Sequence, residues 1–352
     1  MKPRRKIVLA GLVAAPLAAI FIAWLGIFNV AASTGHWPIT NWFLHFVMRS
    51  SVRTYALGIT VPDLRKTGLL QPAAAHFDTG CAYCHGAPGV SPSPAALAML
   101  PPPPDLAGKV GEWTDAELFR IVRHGVRYTG MPAWPALQRT DEVWGMVAFL
   151  RELPSLDAGQ YRQLVAARQA SDDARVSGFS ADLVRCAACH GTDGIGRDEG
   201  VPVIAGQSGA YLLGSLRAYA EGKRPSGMMK VAVSQVDAGT LEKLARYYAD
   251  QPAPAKPTGV DPASAARGRE IAEKGLPGQG VPACLGCHGG SRKNPAYPKI
   301  AGQKRAYLEA QLRLFAEGHR GGTDYAHLMT KVARNLSDRD IEDVATYLAS
   351  LR

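Results

Sequence analysis

All six cysteines of the 352-residue chain stand in three copies of one pentapeptide. Residues 81–85 read Cys-Ala-Tyr-Cys-His, residues 186–190 Cys-Ala-Ala-Cys-His and residues 284–288 Cys-Leu-Gly-Cys-His. A Cys-x-x-Cys pair serves as a redox dithiol, as half of a zinc site or, with His directly after it, as a covalent haem attachment point. The trailing His separates these chemistries. In a haem c site the two thiols add across the porphyrin vinyl groups, and the adjacent imidazole is carried to one axial face of the iron. A dithiol has no need of that His and occurs once, in a strand-helix setting. A four-ligand zinc site needs motifs to converge in pairs, and three copies leave one over. The pattern predicts three covalently bound haem c groups, on Cys81 and Cys84, Cys186 and Cys189, and Cys284 and Cys287. His85, His190 and His288 then supply one axial ligand each.

The other axial position separates a carrier from a catalyst, because Met or His closes the iron whereas an open site admits a small molecule. Met131 lies in Tyr128-Thr129-Gly130-Met131-Pro132-Ala133-Trp134, a loop shape that can present a thioether. Met329 stands seven residues before Leu336, at the entrance to the last helical pattern, and the same offset before Val236 selects Met229, with Met228 beside it as an alternative. A lone Met is more often gap-filling core, and Met99 and Met146 are read that way. His76, His124, His319 and His327 are read as surface or packing residues. Three methionines in matching places between motif and final helix are read as ligands. Met/His ligation raises the reduction potential, and an iron so closed exchanges electrons with little rearrangement.

The elements that must position these residues repeat along the chain. Ile204-Ala205-Gly206-Gln207 recurs as Ile300-Ala301-Gly302-Gln303, Ala210-Tyr211-Leu212 as Ala306-Tyr307-Leu308, and Ala220-Glu221-Gly222 as Ala316-Glu317-Gly318, all at an offset of 96 residues. The second and third segments are therefore duplicates. Each segment ends in a helical pattern, at Asp141–Leu153, Asp237–Asp250 and Ser337–Leu351. Thr114-Asp115-Ala116-Glu117 is a capping-box pattern opening an amphipathic stretch that Gly125 is placed to end. Pro101–Pro104 cannot be helix interior. No alternating strand pattern appears, so the class is all-α, with expected units at 62–155, 171–252 and 263–352. A proline-rich linker, Gln251–Pro257, separates the last two, and the first boundary falls within 154–172.

The N-terminus adds a location. Lys2, Arg4, Arg5 and Lys6 fill a basic flank, 1–6, followed by an uncharged apolar run over 7–30. About 20 residues span a bilayer as a helix, so this run is long enough for a transmembrane anchor. A signal-peptide core is shorter, although Val30-Ala31-Ala32 offers a cleavage point. The basic flank stays cytoplasmic, which places the haem units in the periplasm, outside a bacterial inner membrane. A collar over 31–61 carries Trp42, Phe43, Leu44, Phe46, Val47 and Met48 beside Arg49 and Arg53. It suits either the membrane surface or packing on the first unit or a partner. The net charge of +10 falls to +6 once the four basic flank residues are set aside, and no basic stripe interleaved with aromatics is present. Nucleic acid is excluded as a partner.

With these residues the chain resembles the class I cytochromes c. Residues 171–352 are similar to the dihaem cytochromes of the cytochrome c-four family in Val281-Pro282-Ala283-Cys284, the two Ile-Ala-Gly-Gln words, Met228-Met229 and Leu336-Ser337-Asp338. The resemblance implies a helical fold in which N- and C-terminal helices cross beside the haem. It also implies that the carbonyls of Pro202 and Pro298 orient the proximal histidines. Residues 62–155 resemble the monohaem domains of membrane dehydrogenase and oxidase cytochrome subunits, through Cys-His-Gly-Ala-Pro-Gly at 84–89, Pro103-Pro104-Asp105-Leu106 and Gly130-Met131-Pro132-Ala133-Trp134. Three-haem dehydrogenase subunits commonly carry a C-terminal anchor, whereas this chain has an N-terminal one. The function expected is electron relay between a respiratory dehydrogenase or quinol-oxidising complex and a terminal acceptor or oxidase. The rival is a haem enzyme, a peroxidase or sulfur-compound oxidase, with one open iron; a Met candidate for each haem and the absence of a spare Cys weigh against it.

Overall fold

The computed structural model describes residues 3–26, 29–165, 178–254, 260–289 and 294–351, without the side chains of 3–9 and 178–180. Every extended element among them is a helix, and the only strand-like pairings are the isolated bridges Ala87 with Val90 and Leu276 with Val281. Buried apolar side chains gather in three clusters. The first holds Phe77, Phe119, Val143, Val147 and Phe149. The second centres on Leu183, Leu212, Leu244 and Tyr248, and the third on Ile271, Leu308, Val344 and Leu348.

Local chemistry sets the helix ends. Thr114 and Glu117 form the anticipated capping box, with Thr114 N donating to Glu117 Oε2 at 2.8 Å and Glu117 N to Thr114 Oγ1 at 3.3 Å. The helix Asp115–His124 follows, and Gly125 stops it at φ 63°, a conformation suited to glycine. Ser337 and Asp340 cap Asp338–Ser350 in the same reciprocal way, and Asp237 caps Ala238–Ala249 by accepting from Thr240 N at 3.0 Å. The three final helices, Thr140–Glu152, Ala238–Ala249 and Asp338–Ser350, agree with the sequence expectation to within one residue at each end.

In the third segment the helix Pro262–Lys274 crosses Asp338–Ser350 at Gly268, where an added Cβ would collide with the Asp343 carbonyl. Neither backbone can retreat without opening the core between Ile271, Val344 and Leu348. Gly268→Ala is expected to destabilise this segment by about 1–3 kcal/mol through overpacking. Thermal melting followed at the haem Soret band checks it, and an unchanged midpoint would contradict the close crossing. The first segment uses the same device. Leu70–Gly80 crosses Thr140–Glu152, Gly145 lies against Leu69, and the rings of Phe77 and Phe149 are 5.1 Å apart.

Some features differ from the sequence reading. A further helix, Ala158–Val165, folds back on the first cluster, burying Tyr161, whose hydroxyl donates to Asp78 Oδ1 at 2.8 Å. The first packed body thus extends past residue 155. The rest of the expected boundary, from 166 to 172, and residues 255–257 of the linker lie outside the described residues. Met146 is core, but Met99 is half-buried with its sulfur against Gly130, beside the Met131 loop rather than in the core.

The collar divides into two halves along the helix Pro38–Ala56. Its C-terminal half docks on the first segment: Val52 and Ala56 are buried, Arg49 pairs with Glu112 and lies 5.1 Å over Trp113, and Arg120 lies 5.0 Å over Tyr55. Its N-terminal half leaves Trp37, Ile39, Trp42, Phe43 and Phe46 exposed. Upstream, the helix Pro3–Trp24 exposes Leu12, Val13, Leu17, Ile20 and Phe21. Among the described residues no helix is long and apolar enough to cross a membrane. The expected anchor over 7–30 also covers the side chains of 7–9 and residues 27 and 28, which lie outside the described set.

The duplicated words meet each other in space. Gln303 Oε1 accepts from Val203 N at 2.8 Å while its Nε2 donates to Val203 O at 2.9 Å. Gln207 does the same to Lys299, at 2.7 and 2.9 Å. The first segment joins the second through Gly200 N to Gly68 O at 2.8 Å and Gln71 Nε2 to Ala188 O at 2.6 Å.

Candidate haem sites

Each Cys-x-x-Cys-His motif forms one turn of helix, so that both sulfurs and the imidazole share a face. Cys81, Cys84 and His85 lie at the short helix Ala82–His85. Cys186, Cys189 and His190 form the last turn of Gly178–His190, and Cys284, Cys287 and His288 make up the helix Cys284–His288. Burial pushes the thiol of Cys81 up to about 12, aided by Cys84. Burial likewise raises Cys186 to about 12 and Cys189 and Cys284 to about 11. A working redox dithiol needs a lowered thiol, so these environments oppose that chemistry. Among the described residues no group of three or more His, Cys, Asp or Glu is placed to hold a metal ion.

The proximal histidines are oriented by proline carbonyls. His85 Nδ1 donates to Pro104 O at 3.0 Å and His288 Nδ1 to Pro298 O at 2.9 Å. The Pro202 carbonyl lies near the His190 ring and acts to raise its pKa, but His190 Nδ1 is buried without a hydrogen-bond partner among the described residues. Burial pulls His190 down to about 4 and lowers His288 as well, so both imidazoles are neutral near pH 7. A neutral ring that donates through Nδ1 keeps a bare lone pair on Nε2, the state an axial iron ligand requires. Pro298 stands where the family resemblance implied. Pro104 performs the same task from the end of a four-proline run, a role the sequence reading assigned only to Pro202 and Pro298.

The Met-bearing segments are held by three different devices. Around Met131, Val126 N donates to Met131 O at 3.2 Å, Met131 N to Thr129 Oγ1 at 3.2 Å and Trp134 N to Arg123 O at 3.0 Å. Trp134 then packs its ring 4.9 Å from His76, on the helix that leads into Cys81. Met329 lies in Ala326–Ala333, which has no side-chain cap; Tyr325 in front of it packs 5.0 Å from Tyr297, itself 6.0 Å from His288. Met229 lies in Gly227–Val233, where its N donates to Ser226 Oγ at 3.0 Å. Its neighbour Met228 packs on the first cluster.

A second constellation, absent from the sequence reading, sits between the duplicates. Arg224 and Arg320 are buried, and neither is ion-paired to a carboxylate among the described residues. Arg224 donates to Ser215 Oγ at 2.8 Å and lies 4.5 Å over Tyr219; Arg320 donates to Gln311 Oε1 at 2.9 Å and lies 5.0 Å over Phe315. The hydroxyls of Tyr211 and Tyr307 stand within 3.5 Å of these guanidiniums. Burial would raise Tyr211, but the two cations outweigh it and pull the phenol down to about 8. Arg224 Nε is buried with no acceptor among the described residues. Two buried cations and an orphaned donor call for an anion, and the propionates of haem fit that demand. The signal was present in the sequence: the repeat words extend two residues further, to Arg224 and Arg320.

A model described as cytochrome c oxidase, cbb3-type, subunit III, matches residues 68–150, and a cytochrome c model matches residues 265–352. The thiosulfate dehydrogenase electron acceptor of Thiomonas intermedia (strain K12) is 38% identical over 179 residues, covering 48% of this chain and 79% of that protein. The chain belongs to the class I c-type cytochromes. Cytochrome c4 of Stutzerimonas stutzeri is 34% identical over 182 residues, 47% of this chain and 84% of its own. The crystal structure of reduced recombinant cytochrome c4 from Pseudomonas stutzeri aligns with a TM-score of 0.46 at 32% identity, covering 50% of this chain and 100% of that one. As a c-type cytochrome, the chain binds haem covalently, and its named relatives are electron-transfer cytochromes rather than enzymes.

Proposed function

We propose that this cytochrome is a membrane-anchored, three-haem electron relay. The observation that carries the reading is the recurrence at all three motifs of a helical Cys-x-x-Cys-His, with the imidazole Nδ1 donating to a proline carbonyl at Pro104 in the first and at Pro298 in the third. The segments 62–155, extended by Ala158–Val165, 171–252 and 263–352 each hold one haem, through Cys81 and Cys84, Cys186 and Cys189, and Cys284 and Cys287. His85, His190 and His288 would serve as the proximal ligands, and Met131, Met229 and Met329 as the distal ones. Met229 is preferred over Met228 because the latter packs into the first cluster.

Haem supplies one-electron exchange between ferric and ferrous iron. The cysteine thiols would tether it, the imidazoles of His85 and His288, donating through Nδ1, would offer Nε2 to the iron, and Met131, Met229 and Met329 would supply thioethers. Arg224, Arg320, Tyr211 and Tyr307 are the donors for propionates at the seam of the duplicates. The helix Leu70–Gly80, which runs into Cys81, packs on Gly178–His190, which ends in the second motif. This contiguity suits a relay.

The apolar run over 7–30 is the anchor, supported by the apolar side chains exposed between Leu12 and Phe21 and by the basic flank over 1–6. The exposed aromatic half of Pro38–Ala56 rests at the membrane surface, and the haem segments lie in the periplasm. Two relatives are named for accepting electrons from a thiosulfate dehydrogenase. A periplasmic or inner-membrane dehydrogenase is the donor class, and a terminal oxidase or comparable acceptor receives the electrons. Haem per chain, with near-infrared magnetic circular dichroism of the ferric protein, tests the reading. Three haems, all low-spin with thioether ligation, are expected; one high-spin or ligand-binding haem would replace the relay with an enzyme.

A further inference from the structure

Glu142 belongs to the first segment, in the helix Thr140–Glu152, but its carboxylate serves the second. It is 2% exposed. Oε1 accepts from Ser226 Oγ at 2.5 Å and pairs with Arg139 Nη1 at 3.0 Å. Oε2 accepts from Gly227 N at 2.6 Å, Trp134 Nε1 at 3.1 Å and Met228 N at 3.4 Å. Arg139 Nη1 donates further to Pro225 O at 3.0 Å. Burial works against the Arg139 charge, but Glu142 and Asp141 more than offset it and hold the guanidinium protonated.

The donors on this carboxylate come from two distal segments. Trp134 stands three residues after Met131. Ser226 accepts from the backbone N of Met229, and Gly227 and Met228 are the two residues before it. The approach is tight, since a Cβ on Gly227 would strike the Trp134 indole. The duplicate of this segment has nothing comparable: Ala326–Ala333 begins after Tyr325, with no side-chain cap. The first segment therefore supplies a buried anchor for a Met-bearing helix that its sibling lacks.

We propose that Glu142 is a positioning residue that sets, from the first segment, the placement of the distal methionine of the second haem. Through Trp134 the same carboxylate ties that placement to the Met131 loop. The inference rests on the reading of Met131 and Met229 as ligands. Removing the carboxylate leaves Ser226, Gly227 and Trp134 without their shared buried acceptor. The Gly227–Val233 helix would then shift and move Met229 from the position in which it would hold the iron.

Glu142→Gln keeps the shape but replaces one acceptor oxygen with a donor that opposes the N–H groups facing it. Ser226→Ala removes the hydroxyl that joins Glu142 to Met229 N without touching the core of the first segment. Full-length protein of each variant is compared with the parent for haem per chain, thioether-to-iron charge-transfer intensity and the potential of each haem. The expected result is unchanged haem content, with thioether intensity reduced by as much as one haem's share. The reduced-to-oxidised ratio of one haem at fixed poise should also change at least threefold, about 30 mV at 59 mV per tenfold. Asp340→Asn, which weakens a distant capping box, controls for general destabilisation and should leave both signals as in the parent. Lower melting temperatures with parental thioether intensity and potentials would reduce Glu142 to a structural residue and overturn the proposal. If Met229→His leaves the thioether signal intact, the ligand reading itself fails, an outcome distinct from a silent Glu142→Gln.

Discussion

Changing Cys186 and Cys189 together to serine should yield a chain that carries two haems in place of three, with the loss confined to the second motif. The pair has no spare: every cysteine in the sequence belongs to a motif, so none can substitute. The effect extends beyond the count. The second cluster rests on few fully buried side chains, chiefly Leu183, Leu212, Leu244, Ala245 and Tyr248, and a small core depends on added apolar bulk. A porphyrin exceeds any side chain in size, so losing it costs at least the ~3–5 kcal/mol of deleting a buried Phe or Trp. Intact mass and haem staining give the count, and a denaturant titration gives the stability. A variant still carrying three haems would show that attachment does not run through these thiols.

Met329→His should lower the potential of one haem by on the order of 100 mV or more, within the ~0.8 V range over which axial ligands tune haem iron. A thioether favours ferrous iron, whereas a second imidazole donates more strongly and favours ferric. The third segment is the right place for this substitution, because Met329 is half-buried in a helix without a side-chain cap. The other two haems should keep their potentials. A spectroelectrochemical titration resolves the three steps, and three unmoved potentials would remove Met329 from the iron.

The features legible in the sequence were those whose partners lie close along the chain or recur in it. Thr114 with Glu117 and Ser337 with Asp340 are three residues apart, and local hydrogen bonding decides their helix ends. The Cys-x-x-Cys-His turn contains its own geometry. Even the seam between duplicates was half visible, because Gln207 and Gln303 close the repeated Ile-Ala-Gly-Gln words. The unseen features depend on distance. Glu142 looks like one more acid in the first turn of a helix, and nothing in its neighbourhood announces donors 84 and 85 residues away. Arg224 and Arg320 look like surface cations until the fold closes over them. Met99 was read as core because its type favours core, yet tertiary packing sets it against Gly130.

The clasp made by Gln207 and Gln303 addresses backbone alone. Each amide engages both the N–H and the C=O of one residue in the other half. The residues so engaged stand at equivalent positions of the duplication, yet one is Val203 and the other Lys299. Because the recognised atoms are the same for every amino acid with a backbone N–H, the side chains above them are free to diverge. Lys299 has used that freedom to reach Gly206 O at 2.7 Å. After a gene duplication, such a joint lets the two copies drift in charge and surface chemistry while they remain fastened together. Two redox modules can thus come to face different partners without separating.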